Sequence, residues 1–307
     1  MPKPRSTTVV RKRGPDREVA LVGPGRLGQA LGYLLSRAGV KIGWVAARRA
    51  PAAREAARFI GAGQPVAIGS AEIAQAKVLL ITTSDSALPR VARKLAGRRE
   101  SWRGSVVLHT SGAWPAGGAE SVLQPFRERG AEAAALHPLQ TVPRREAGVR
   151  NLIGCFWAIE GDPAAVRLAR QWVRALGGTS FTLPANRKPS YHAAAVIACA
   201  GVVTLMDSAR RLLAGCGVRP RRAGEMLQGF VAETAKNFAL LGPRRALTGP
   251  VMRGDWRTLR EHLRALRRRT PDLVPLYQEL LRAMVHIAGR RAPRRRSRTG
   301  QAPLSAL

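Results

Sequence analysis

Cysteine, lysine, acid and aromatic residues are all scarce in this chain. Only three cysteines occur in 307 residues, at 155, 199 and 216, and no two are spaced as Cys-x-x-Cys. That excludes a zinc ribbon or a disulfide framework, so no metal site is expected and a reducing cytoplasm suits the chain. Long apolar runs are missing too. The longest, Ala193 to Met206, is broken by Thr204 and falls short of the ~20 residues that cross a bilayer. The polar stretch up to Arg17 lacks the apolar centre of a signal peptide. A cytoplasmic protein without a membrane span is the expectation.

Acid is outnumbered, with 19 acidic against 52 basic residues and a net charge of +33. Such a balance ordinarily points to nucleic acid or an anionic surface. The scarcity of lysine weakens that reading. Only seven of the 52 basic residues are lysine, and arginine is spread along the chain rather than gathered on one face. Nucleic acid is expected only as a non-specific contact of the termini. Residues 1–17 read as a basic flexible arm, and 289–307, with six arginines and no acid, as a disordered Arg-rich tail.

The chain as a whole is 45% hydrophobic, enough for two ordinary domains. In the first half, short apolar runs alternate with helical stretches. The runs are Glu18–Val22, Val40–Ala46, Pro65–Ile68, Val78–Thr82, Ser105–His109 and Ala133–His137, with a seventh at Cys155–Glu160. Between them lie helical periodicities over Leu27–Arg37, Ala52–Phe59, Ala87–Leu95 and Ala119–Arg129, and Pro163–Ala175 follows the seventh. This alternation predicts an α/β fold, a Rossmann doubly wound parallel sheet over 18–184. An all-α C-terminal domain over 185–288 follows, with helices expected at Ser190–Leu213, Arg222–Leu240, Trp256–Arg268 and Pro271–Ala288.

The strongest motif is Gly23-Pro24-Gly25-Arg26-Leu27-Gly28, directly after the first strand and opening a helix. In that setting Gly23 can make a tight turn, Gly25 lets backbone approach a pyrophosphate, and Gly28 permits close helix–strand packing. The helix N-terminus offers unpaired N–H groups to the anion. An NAD site usually ends the second strand with an acid for the ribose; this chain has Arg48 and Arg49 instead, which suits the 2′-phosphate of NADP(H).

Ligands of such sheets lie beyond the carboxyl ends of the strands. Those ends carry Thr83, Ser84 and Asp85, then His109 and Ser111, then His137. Thr83 and Ser84 are candidates for the cofactor, and Ser111 and His137 for a substrate. Each histidine could instead bind loop backbone, and Asp85 could cap the next helix. On the long helix, Lys188 and His192 are four apart and share a face. Lysine can release a proton when desolvated and arginine cannot, so Lys188 is the candidate proton donor and His192 its partner. Arg253, in Leu-Thr-Gly-Pro-Val-Met-Arg-Gly-Asp at 247–255, could grip a carboxylate, and Asp255 reads as a helix N-cap.

Taken with His-Thr-Ser-Gly-Ala at 109–113, Leu-His-Pro-Leu-Gln at 136–140, Ile-Glu-Gly-Asp at 159–162 and Tyr-His-Ala-Ala-Ala at 191–195, these motifs resemble the Rossmann-like proteins with C-terminal domain of unknown function 2520. That family is similar to the 6-phosphogluconate dehydrogenase-like superfamily, which includes pyrroline-5-carboxylate and ketopantoate reductases. The resemblance implies an NADP-binding domain, a helical domain that often forms a homodimer, and an acid–base lysine followed four residues later by asparagine. Lys188 matches that lysine and His192 stands for the asparagine. The family also tends to carry Ser-Asn where this chain has Cys199-Ala200. Two readings follow: an NADPH-dependent reductase of a small 2-oxo acid or imine, with ketopantoate tried first, or a non-catalytic NADP(H)-binding sensor or scaffold.

Overall fold

The computed structural model describes residues 18–289. The basic arm, and the Arg-rich tail beyond Gly289, lie outside the described residues. Contacts divide the chain into two compact units, meeting between Ile197 and Ala198.

The first unit is an eight-stranded sheet with helices on both faces. In chain order it runs β1 (Val19–Val22), α1 (Arg26–Arg37), β2 (Ile42–Ala47), α2 (Ala50–Ile60), β3 (Gln64–Ala67), β4 (Val78–Ile81), α3 (Leu88–Ala96), β5 (Val106–His109), α4 (Gln124–Arg127), β6 (Glu132–Pro138), α5 (Arg145–Asn151), β7 (Phe156–Gly161), α6 (Pro163–Ala175), β8 (Thr179–Thr182) and α7 (Lys188–Val196). The strand order is β3-β2-β1-β4-β5-β6-β7-β8. The first six strands are parallel and have the Rossmann order, with the switch point between β1 and β4.

The apolar runs produce this sheet because both faces are covered. Val19 and Leu21 point into one core cluster and Ala20 and Val22 into the other; Val78 and Leu80 alternate likewise with Leu79 and Ile81. A strand alternates its side chains, so a run apolar at every position needs helices on both sides. Each fully buried leucine or valine contributes about 1.5–3 kcal/mol relative to exposure.

Some elements differ from the sequence expectation. β7 pairs antiparallel with β6, so the sheet is mostly rather than wholly parallel. The polar edge strand β8 and the short α5 escaped periodicity. α5 packs on α1 through Gly148, where a Cβ would come within 2.7 Å of Ala30. The helix expected over Ala119–Arg129 is a single turn, α4; the residues before it form a loop closed by Val122 N–H donating to the Pro115 carbonyl. Asp85 does not cap α3, whose N-cap is Ala87 with no side-chain hydrogen bond.

The second unit holds α8 (Val202–Gly215), α9 (Pro220–Ala246), α10 (Pro250–Arg253), α11 (Trp256–Arg269) and α12 (Val274–Ile287). α9 is interrupted near its end by Gly242, at φ +72°. Asp255 caps α11, accepting from Thr258 N–H at 3.1 Å. Leu259, Leu263, Leu281 and Val285 from α11 and α12 form a small core with Val251. α8 buries no residue and α9 only Ala223. A π-helical turn, Ile197–Gly201, precedes α8, so the Cys199-Ala200 pair sits where one extra residue loosens the helix.

The helical stretch Ala185–Gly215 is 31 residues long and contains an 18-residue window of mean hydropathy 1.5, long and apolar enough by length and composition to cross a membrane. This differs from the reading of the unbroken apolar run alone. The start of that stretch is committed elsewhere: Lys188 is buried in the α/β unit, bonded to Ser111 and paired with Glu160.

Candidate active site

The first part of the site is the glycine turn at the end of β1. Gly23 adopts φ +76°, a left-handed conformation that favours glycine, and a Cβ there would overlap Thr83 Cγ2. Thr82 Oγ donates to the Gly23 carbonyl at 2.9 Å, and a Cβ on Gly28 would overlap that same hydroxyl. Gly25 is different. As N-cap of α1 it brings no side-chain hydrogen bond, and the nearest atom to a Cβ placed there is 4.0 Å away. The turn therefore holds itself together at Gly23 and Gly28 and leaves an open, uncapped helix N-terminus at Gly25, the arrangement that receives a phosphate.

Its neighbours fit the same use. Gly23 N–H donates to the Ala46 carbonyl at 2.9 Å, which brings the end of β2 beside the turn. Arg48 and Arg49 follow directly and are exposed. Arg26 is occupied, donating to the Pro143 carbonyl at 3.0 Å, and Pro24 accepts from Gln29 Nε2. Leu27 packs against the core. Thr83 Oγ1 is buried and has no hydrogen-bond partner among the described residues; Ser84 is exposed, with its hydroxyl 3.2 Å from that of Ser86.

The second part gathers over β5 and β6. His109 is fully buried, and its Nδ1 accepts from Ser111 N–H at 3.1 Å. That bond leaves any proton of the neutral ring on Nε2. Burial first, and the nearby Lys188 charge second, push the His109 pKa well below the ordinary 6.5. Ser111 is turned inward, its hydroxyl accepting from Ala113 and Trp114 N–H. Trp114 Nε1 in turn donates to the Asp85 carbonyl at 3.0 Å, tying the β4 and β5 loops together.

Lys188 locks this loop from below. It is 1% exposed, and its ammonium donates to the Ser111 carbonyl at 2.9 Å and lies 3.6 Å from Glu160 Oε1. Glu160, also buried, accepts from Ala116 N–H at 2.7 Å and Gly117 N–H at 2.8 Å. Desolvation lowers the Lys188 pKa from 10.5, and Glu160 opposes that shift.

Two turns of α7 carry the remaining groups. His137 Nδ1 is 2.8 Å from the Tyr191 hydroxyl, and the His192 ring is edge-on to His137 at 6.2 Å. His137 is pushed down to about 4 by burial, with Lys188 adding to it, so the ring is neutral at physiological pH. Burial raises Tyr191 to about 12. A Cβ on Gly112 would sit 2.8 Å from His137 Nε2, so only glycine leaves room for this imidazole.

Ser111, His137, Lys188 and His192 thus come together in one unit. Arg253 ends α10 in the second unit and is exposed. Sequence reasoning did not single out Tyr191, Glu160 or Gly112. Glu160 had a signal: an acid inside an apolar strand needs a buried partner. Tyr191 had none, because its hydroxyl partner lies 54 positions away.

Comparison with known proteins agrees with this architecture. Residues 1–138 match the family model of a Rossmann-like domain and residues 155–284 that of a domain of unknown function, DUF2520. No curated protein matches the sequence. Among solved structures, a Bacteroides fragilis protein assigned as an NADP oxidoreductase is 24% identical, with TM-score 0.70, covering 88% of this chain and 98% of its own. A Thermotoga maritima protein is also 24% identical, with TM-score 0.67 and coverages of 88% and 98%. A reductive aminase from Aspergillus terreus, solved with NADPH, is 17% identical with TM-score 0.61, covering 89% and 97%. The chain belongs to the proteins that join a Rossmann-like domain to the DUF2520 domain.

Proposed function

We propose that the chain is an NADP(H)-dependent reductase of a small 2-oxo acid or imine, of the 6-phosphogluconate dehydrogenase-like kind. The observation that carries this reading is the open, uncapped helix N-terminus at Gly25, beside a β2 end that bears two exposed arginines and no acid. NADPH, when bound, would supply hydride. Gly23, Gly25 and Gly28 would hold its pyrophosphate, and Arg48 and Arg49 its 2′-phosphate. Thr83, with its unpartnered hydroxyl, and Ser84 would face it from β4. Ser111, His137 and Arg253 are the proposed substrate contacts. Of the two acid–base candidates, Lys188 would hold the Ser111 loop and lend its charge to the crevice, and His192 would face the substrate. The Aspergillus and Bacteroides neighbours support the reading through their shared fold.

Titration with NADPH and NADH at moderate salt, against ATP as a polyanion control, tests it. Selective NADPH binding that survives salt and ATP is expected. Binding that follows phosphate charge alone would sink the proposal. Gly25→Ala is expected to fold normally, since its methyl would meet only the Gly23 carbonyl oxygen, at 4.0 Å, yet to weaken NADPH at least tenfold. Gly28→Ala should lose stability instead, because its methyl overlaps Thr82. Arg48→Ala with Arg49→Ala should weaken NADPH and leave NADH nearly unchanged.

A non-catalytic NADP(H) sensor is the second reading. The engagement of Lys188 with Ser111 and Glu160, and Cys199-Ala200 in place of Ser-Asn, favour it; NADPH binding with no turnover of any 2-oxo acid or cyclic imine would select it.

We also propose a cytoplasmic homodimer formed through the helical unit. Val203, Leu205, Met226, Phe230 and Phe238 on α8 and α9 are all exposed, Phe230 at 73%. Apolar surface of that extent on paired helices calls for a cover, and an identical face on a second copy is self-complementary by two-fold symmetry. Light scattering should give twice the 33.1 kDa chain mass, and Phe230→Glu should give monomers.

A further inference from the structure

We infer that Tyr191 delivers the proton to the substrate, with His137 as its fixed hydrogen-bond partner. This rests on the reductase reading and changes which residue performs its acid step. The sequence singled out Lys188, but that ammonium is closed in, with a carbonyl and a carboxylate already on it. A donor must reach the oxygen that gains charge. Tyr191 and His137 are only partly buried, and they stand above the end of β6, two strands from the β1–β4 switch point where a dinucleotide lies across the sheet.

The pair is held on every side. Phe181 packs edge-on against the Tyr191 ring at 6.0 Å, and Gly112 leaves the space that His137 fills. Lys188 fixes the Gly112 loop through the Ser111 carbonyl. Burial keeps the imidazole uncharged, and Lys188 and His192 both oppose its protonation. In the working arrangement His137 Nδ1–H donates to Tyr191 Oη, which leaves the phenolic proton free to point outward.

The step balances. The reduced nicotinamide dinucleotide, when bound, would supply the hydride for a new C–H bond at the carbonyl or imine carbon. The C=O or C=N π pair moves onto the heteroatom. The heteroatom takes the Tyr191 proton, and the phenolate oxygen, stabilised by His137 N–H, is reprotonated from solvent.

Only three tyrosines occur in the chain, so 13Cζ-tyrosine labelling gives few signals, and Tyr191→Phe assigns the relevant one. Titration with NADP+ is expected to shift Tyr191 13Cζ and the His137 ring nitrogens. Titration with 2′,5′-ADP, the adenosine half alone, is expected to leave both unmoved while it binds. If NADP+ binds and neither signal moves, the pair is structural and this inference fails while the cofactor reading stands. If neither nucleotide binds, the reductase reading itself fails. With the 2-oxo acid or cyclic imine that is reduced fastest, Tyr191→Phe should lower kcat about a hundredfold with NADPH affinity unchanged. A kcat within threefold of wild type would overturn the assignment.

Discussion

Replacing Lys188 with methionine is expected to lower the unfolding free energy of the α/β unit by about 3–5 kcal/mol, the usual cost of removing one partner from a buried ion pair. The side chains of Lys188 and Glu160 are 2% and 6% exposed. Without the ammonium, Glu160 keeps the Ala116 and Gly117 N–H groups but loses the cation paired with it, and the Ser111 carbonyl loses its donor. Guanidinium denaturation followed through the buried Trp102 and Trp157 measures the loss. Lys188→Met with Glu160→Gln should cost less than the two single changes summed, because the second removes the charge that the first strands. A loss below 1 kcal/mol in the single variant, or strict additivity in the double, would show that the pair does not hold the loop. Lys188→Arg is not expected to rescue, since a larger, forked cation overfills a closed site.

This outcome bears on what a sequence reveals about a site. Lys188 stood out as a lysine among arginines, and the geometry places it next to Ser111. Its use, however, depends on Glu160, which belongs to β7 and meets it only through the fold. The glycine turn was legible because its requirement is local: Gly23, Gly25 and Gly28 act on backbone within six positions. The crevice histidines were legible as strand ends. Their roles were not, because the Tyr191–His137 bond joins residues whose proximity depends on how α7 returns over β6. The same limit explains β8 and α5. A four-residue polar edge strand, TSFT, carries no alternation to detect, and α5 is defined by a glycine contact with α1 rather than by its own periodicity. The parallel core strands needed no such help, since a run apolar at every position is itself the statement that both faces are covered.

Acid is expected to unfold the α/β unit earlier than its carboxylates alone would. His137 titrates near 4 in the fold against about 6.5 in an unfolded chain. Its folded value is the lower one, so between these limits the unfolded state binds more protons and stability falls as pH falls. The contribution is fully present above pH 6.5, erodes from there, and is gone once pH passes below 4. It amounts to about 2–3 kcal/mol at neutral pH, after allowance for partial exposure of the ring. His109, fully buried and shifted in the same direction, extends the loss further down. Lys188 and His192 oppose protonation of His137 while Asp85 favours it, so the net direction follows burial. Between pH 6.5 and 5 the carboxylates are still largely ionised, so that interval isolates the histidines. Denaturant midpoints taken across it should fall steadily in the wild type. In His137→Gln the slope should flatten, although the variant starts less stable for want of the Tyr191 bond. An unchanged slope in that variant would mean that His137 is solvated in the folded protein, and the crevice would then lack the dry, neutral imidazole on which a Tyr191 proton donor depends.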